Sequence, residues 1–279
     1  MSKVEKALQK ARAMDDVALP APATASAVAQ EKPLILSAKD ISAYTAQIPK
    51  MSQKSRMERS DLSEAKIIYQ EMEDARVVES FRQMRTHILQ NAGPKNCVVL
   101  VASVVPDGGA SFVALNLAAA FAFDESKTAL LIACRLRDPQ QDRLVSGDIH
   151  YGLTDYLETE DVEVDRIIHE GGLPRFRIIP AGRRSDAGTE HLDSRRMREL
   201  VIHLRDRYPD RYIVLDAASP AESADAVVLA EIADFVLLVV PYGKVTESQI
   251  WSVAKAIDEQ KLLGVVFNDE PRPRRVIWN

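Results

Sequence analysis

The chain predicts an α/β fold, a mostly parallel sheet with helices on both faces, preceded by a disordered N-terminal arm. Three observations predict it. Short, continuously apolar and β-branched runs recur between residues 97 and 268, the pattern of strands buried on both faces. Segments with helical spacing of apolar residues separate them, so each strand returns through a crossover to a parallel neighbour. The first run, Cys97–Ser103, turns through Pro106 and two adjacent glycines into an Ala/Leu-rich helix opened by Ser111. Strand, glycine turn and helix form the layout of a phosphate cradle, where backbone N–H groups at a helix N-terminus face an anion.

Composition narrows what this fold carries. The 279 residues accommodate one α/β domain of about 200 residues plus a tail. A hydrophobic fraction of 46% supplies a sizeable core, and a net charge of −5 argues against a general nucleic-acid binder. Cys97 and Cys134 each lie in an apolar run and are expected as reduced core residues of a cytoplasmic protein. The N-terminus is charged and has no apolar h-region, so no signal peptide is expected. The longest apolar segment, around Val113–Phe123, is too short for a bilayer, which leaves only peripheral membrane association.

In chain order, Ser2–Met14 has Val4, Ala7, Leu8 and Ala11 at helical spacing among Lys3, Lys6, Lys10 and Arg12. Residues 1–14 therefore predict a short basic amphipathic helix, either a frayed end or docked on its own domain, or else docked on a partner or membrane face. Residues 15–62 are polar and Ala/Pro/Ser-rich and read as a flexible arm. The main domain is expected over 63–270, with a tail at 271–279. Val77, Val78, Phe81, Met84, Ile88 and Leu89 make an apolar stripe, which predicts a helix over Val77–Gln90. Glu79, Arg82 and Arg85 stand three apart off that stripe, either as a solvated face with an intrahelical Glu–Arg pair or as a subunit contact.

Further strands are expected at Thr128–Ala133, Arg175–Pro180, Tyr212–Asp216, Phe235–Val240 and Gly264–Asn268, and helices at Gly152–Leu157, Ser194–Tyr208, Ala224–Ala233 and Glu247–Glu259. The loop Cys134–Pro139 follows a strand at its C-terminal end, where α/β sheets place ligands.

At the cradle, the position before Ser111 normally carries a Lys that reaches the β/γ phosphates; here it is Ala110. Gly108, Gly109, Ala110 and Ser111 are the candidate phosphate-binding residues, and Arg135 is a cation placed near where the missing Lys would point. Ser111 reads as a helix cap or a metal ligand. Asp216 reads as a remnant Mg²⁺ ligand or a turn former, and Asn268 as a base-reading remnant or turn chemistry. Asp107 adds a negative charge to a loop suited to anions. Two like charges about 5 Å apart at an effective dielectric near 20 repel by about 3 kcal/mol.

Taken together, Glu79–Arg85 (ESFRQMR), Ser103–Ala120 (SVVPDGGASFVALNLAAA), LLIACRLRDP, IIPAG, YIVLD and GVVFN resemble, in order, the cytoplasmic domain of the bacterial tyrosine autokinases of exopolysaccharide and capsule synthesis. These are relatives of the MinD/ParA-type P-loop ATPases. The resemblance covers roughly residues 64–268, and SKVEKALQKAR is similar to the start of the free-standing, exosortase-associated branch. It implies a P-loop NTPase fold, ATP with Mg²⁺ as the family's cofactor, and a Glu-x-x-Arg-x-x-Arg oligomerisation motif, intact here as Glu79, Arg82 and Arg85.

The departures fall on the chemistry. The phosphate loop lacks its Lys at Ala110. Ala133, Cys134 and Arg135 stand where the resemblance implies an Asp-x-Asp motif, and the tail EPRPRRVIWN has no tyrosine cluster. Only Asp216 survives of the acidic set. The expected function is therefore a catalytically impaired, kinase-like subunit that requires no cofactor, binds ATP or ADP with Mg²⁺ only weakly, and acts by assembly. Its expected partners are itself, an active kinase of the family, or a polysaccharide co-polymerase-type membrane protein, which would hold it at the inner membrane. The alternatives are an active autokinase or ATPase using Ser111, Arg135 and Asp216, and a ParA/MinD-like positioning protein.

Overall fold

The computed structural model describes residues 57–93, 95–138 and 151–270. The helix expected over 1–14, most of the arm and the basic tail lie outside the described residues. Among the described residues the first element is α1 (Arg59–Glu64), whose Leu62 is buried in the core. Then follow α2 (Ala75–Ala92), β1 (Val98–Ser103), α3 (Ala110–Ala122), β2 (Thr128–Ala133), α4 (Leu153–Glu158), α5 (Val164–Ile167), β3 (His169–Glu170) and β4 (Phe176–Ile179). The chain continues through α6 (Gly188–Leu192), α7 (Arg195–Arg207), β5 (Arg211–Asp216), α8 (Asp225–Ile232), β6 (Phe235–Pro241), α9 (Glu247–Ala254) and β7 (Leu262–Asn268).

The seven strands form one sheet in the order β3-β4-β2-β5-β1-β6-β7. All neighbours are parallel except the two-residue β3, which pairs antiparallel with β4. Strand side chains alternate between the two faces. Leu100, Ile132, Ile213 and Leu238 enter one apolar cluster with Leu153, Met197, Leu200 and Leu229 from α4, α7 and α8. Val99, Leu131, Val214 and Val239 enter the other with α2 and α3. The expectation of helices on both faces holds.

Boundaries differ where caps decide them. Ser194 caps α7 by accepting the Met197 N–H through its hydroxyl, so that helix starts one residue later than its cap. The helix expected over Glu247–Glu259 stops at Ala254.

Candidate functional site

The phosphate-type loop is seated on the C-terminal ends of β1, β6 and β7. The Val104 N–H and the Ser103 hydroxyl both donate to the Val239 carbonyl, at 3.0 and 3.1 Å. A Cβ on Gly108 would stand 1.8 Å from Ser103 Oγ, so only glycine lets the backbone pass this close. Gly109 adopts φ 93°, and a Cβ there would lie 2.1 Å from Asn268 Nδ2. Asp107 is also left-handed, at φ 54°, and exposed.

Gly109, not Ser111, is the N-cap of α3, which corrects the reading of Ser111 as a cap. The left-handed glycine closes the turn, and its carbonyl accepts the Val113 N–H at 3.0 Å. Ser111 is the second residue of the helix and Ala110, 3% exposed, the first. The helix itself is core: eleven of its thirteen residues are buried.

Asp216 is fully buried at the end of β5. It is in register with Val101 of β1 on one side and Ala133 of β2 on the other. Gly108–Ser111, Arg135, Asp216 and Asn268 thus all lie along the C-terminal edge of the sheet, the ligand side of such folds. They are not equally free to act. The Asn268 carboxamide donates to the Gly108 carbonyl at 3.2 Å and fills the space beside Gly109, so it supports the loop from below. Arg135 is 11% exposed, its guanidinium lies 3.5 Å from Asp138 in its own turn, and its buried Nε has no hydrogen-bond acceptor among the described residues. β2 is separated from β1 by β5, which places its end about 10 Å from that of β1.

That turn is itself anchored. The Leu136 carbonyl accepts the Ser185 N–H at 2.9 Å, and Arg137 donates to the Asp186 carbonyl and to Thr189 Oγ1, both at 3.4 Å. Thr189 Oγ1 in turn donates to the buried Asp225 carboxylate. Burial pushes the Cys134 thiol well above its ordinary pKa, with the Asp216 and Asp225 carboxylates adding to the shift, so it is an inert core thiol. Both cysteines are free and buried, as expected.

Sequence reasoning missed Asp225, Thr189 and the Ser185–Glu158–His191 contacts. Ser185 Oγ and His191 Nε2 stand 3.2 and 3.1 Å from Glu158 Oε1, and Arg183 bonds Asp155 and Glu158. They belong to loops brought together only by the sheet, and no local spacing announces them.

At the far end of α3 the Glu79–Arg82–Arg85 ridge takes an unexpected form. The intrahelical Glu–Arg pair is replaced: exposed Glu79 accepts from Gln83 at 3.3 Å. Arg85 donates to the Ala120 carbonyl at 2.9 Å, and the Arg82 guanidinium lies 5.9 Å from the Phe123 ring centroid. Arg175 adds donation to the Ala122 carbonyl at 3.1 Å. These cations meet the negative end of the helix that the phosphate loop begins. A cavity of about 400 Å³ opens beside it, lined by Met57, Tyr69, Phe123 and Leu173, far from the loop.

No protein-family model matches the chain. Among curated proteins it is 30% identical over 201 residues to the succinoglycan biosynthesis transport protein ExoP of Rhizobium meliloti, a match covering 68% of this chain and 24% of that protein. It is 28% identical over 194 residues to the tyrosine-protein kinase Etk of Escherichia coli K12, covering 68% and 26%. With the tyrosine-protein kinase CpsD of Streptococcus agalactiae it shares 24% over 192 residues, covering 68% and 81%. The chain thus spans about a quarter of the length of the first two.

Among solved structures, the BceF tyrosine kinase domain superimposes with TM-score 0.60 at 26% identity, covering 84% of this chain and 90% of that one. The Etk kinase domain gives 0.68 at 23%, covering 81% and 86%, and Pyrococcus furiosus MinD gives 0.54 at 20%, covering 64% and 75%. By sequence the chain is a homologue of the bacterial tyrosine kinases, and its fold is that of their kinase domains, a fold it shares with MinD.

Proposed function

We propose that this domain is a kinase-like subunit without rapid phosphoryl transfer, acting in exopolysaccharide biosynthesis through protein–protein assembly. Its partners on this reading are further copies of itself, an active tyrosine kinase of the family, or a polysaccharide co-polymerase-type membrane protein. The involvement in polysaccharide biosynthesis follows from the relatives. The loss of transfer rests on the residues that line the cradle.

Phosphoryl transfer works by positioning and by neutralising charge on the phosphates and their metal. The observation that carries the reading is that the loop Lys position is Ala110, buried at the helix start, and that the cation suggested in its place, Arg135, lies beside Asp138. The exposed carboxylate of Asp107 stands in the loop itself, and β2 ends at Ala133, followed by Cys134, where a second carboxylate would be needed. The residues present therefore do not fit Mg²⁺–ATP held for transfer. The loop amides and the Ser111 hydroxyl suffice for weak anion binding only.

The test is titration calorimetry of the full chain with Mg²⁺–ATP, followed by a phosphotyrosine assay on protein prepared without other kinases. The expected result is binding no tighter than millimolar and no labelling. Self-labelling that disappears in Asp216→Asn overturns the reading.

A further inference from the structure

A second interaction surface lies at the opposite edge of the sheet from β3. Among the described residues, β7 is paired only with β6 and ends the sheet. Natural edge strands are commonly protected by charge, by proline or by a covering element. Leu262–Asn268 (LLGVVFN) contains no charge and no proline, and each of its seven residues retains solvent exposure. Two of the three large exposed hydrophobic side chains of the described residues sit here, Phe267 at 45% and Tyr242 at 48%; the third, Ile202, is on α7.

The backbone fixes which groups face outward. The Asn268 carbonyl accepts the Tyr242 N–H at 2.8 Å, so Asn268 points toward β6. Successive residues of a strand alternate in direction, so the N–H and C=O groups of Phe267 and Val265 point away from β6.

We infer that β7 pairs antiparallel with β7 of a second copy, joining two sheets across a two-fold axis near Val265 and Val266. The edge is self-complementary: each outward residue offers one donor and one acceptor, and antiparallel pairing of identical strands uses both. No like charges oppose each other within the strand. The flanking charges are already met within the chain: the Lys261 ammonium donates to the Ala230 and Glu231 carbonyls at 2.8 and 2.7 Å, and Asp269 has Lys244 at 3.5 Å. Asp258 and Glu259 sit further back, in the α9–β7 loop. A seven-residue strand is about 23 Å long, so the shared edge is at the small end of specific interfaces and the dimer is weak, of micromolar affinity. The inference does not depend on the function proposed above.

The test is hydrogen exchange of the full chain at rising concentration, with sedimentation equilibrium alongside. Exchange at the Val265 and Phe267 amides is expected to slow as dimer forms, and to do so equally in an Arg82→Glu background, which separates this edge from the α2 ridge. Phe267→Lys changes an exposed side chain and is expected to weaken dimerisation at least tenfold. A monomer up to several hundred micromolar overturns the inference. So does a dimer that leaves these amides fast-exchanging, or protection already complete at the lowest concentration, which means this chain covers its own edge. If Phe267→Lys fails to fold, exchange on the unmodified chain still decides.

Discussion

Replacing Gly109 by Ala probes whether the phosphate-type loop is held by the end of β7. At φ 93° an L residue costs about 1–2 kcal/mol. The new Cβ, 2.1 Å from Asn268 Nδ2, also drives the carboxamide off the Gly108 carbonyl. That bond is worth about 1 kcal/mol net. Gly109→Ala should therefore cost about 2–3 kcal/mol in all. Asn268→Ala loses the bond but makes room, at about 1 kcal/mol. The double variant should cost about 2–3 rather than 3–4 kcal/mol, a coupling of about 1 kcal/mol. Urea unfolding of the four proteins, followed by far-UV circular dichroism, measures it. Additivity within about 0.3 kcal/mol would refute the claim that Asn268 supports the loop.

Three further outcomes are expected. Asn116 is fully buried on α3 and ties down the segment before α2, accepting the Ile68 N–H at 2.7 Å and donating to the Lys66 and Phe112 carbonyls at 2.9 and 3.0 Å. Asn116→Ala should cost about 2–4 kcal/mol in the same assay, and a loss below about 1 kcal/mol contradicts the role. Arg82→Glu should cost no more than about 1–2 kcal/mol, from the lost contact with Phe123 and the helix end, while lowering the mass seen by light scattering, and an unaltered mass makes the ridge ordinary surface. Alkaline pH should destabilise the fold: burial, then the Asp234 carboxylate, push the Cys97 thiol up to about 12, and burial, then Cys97, push the Tyr212 phenol up to about 12. The stability these groups contribute is complete below pH 9, where both states keep their protons. It is lost as pH rises toward 12, because the unfolded chain releases protons that the native one retains, at up to about 1.4 kcal/mol per unit per group. A fall of about 1–2 kcal/mol between pH 9 and 10 is expected, and a flat profile contradicts it. The window stops there because Arg211, pushed down to about 10 by burial, acts in the opposite sense above it.

Most of the sheet was legible because its central strands are buried on both faces and therefore uniformly apolar. Thr128–Ala133 matches its expected bounds for that reason. The elements that escaped are those whose existence depends on a neighbour: β3 is two residues held by β4, and α6 is a single turn beneath α8. At the candidate site, the residues picked out in the sequence share the C-terminal edge of the sheet, but their roles were assigned from residue type alone. Ser111 could not be told from a cap without the left-handed Gly109. Asn268 could not be seen to lie under the loop, because 160 residues separate it from Gly108. Arg85 of α2 looked outward by periodicity, yet its long side chain bends to a carbonyl near the end of α3.

The buried helix behind the loop has a mechanical consequence. At thirteen residues it is about 20 Å long, and close packing along its flanks leaves it no freedom to flex on its own. Its tail is gripped by guanidinium groups from two separate parts of the chain, Arg85 and Arg175. A load applied where those groups reach the surface is therefore carried as the shift of a stiff strut, and Gly109, at its other tip, has to move with it.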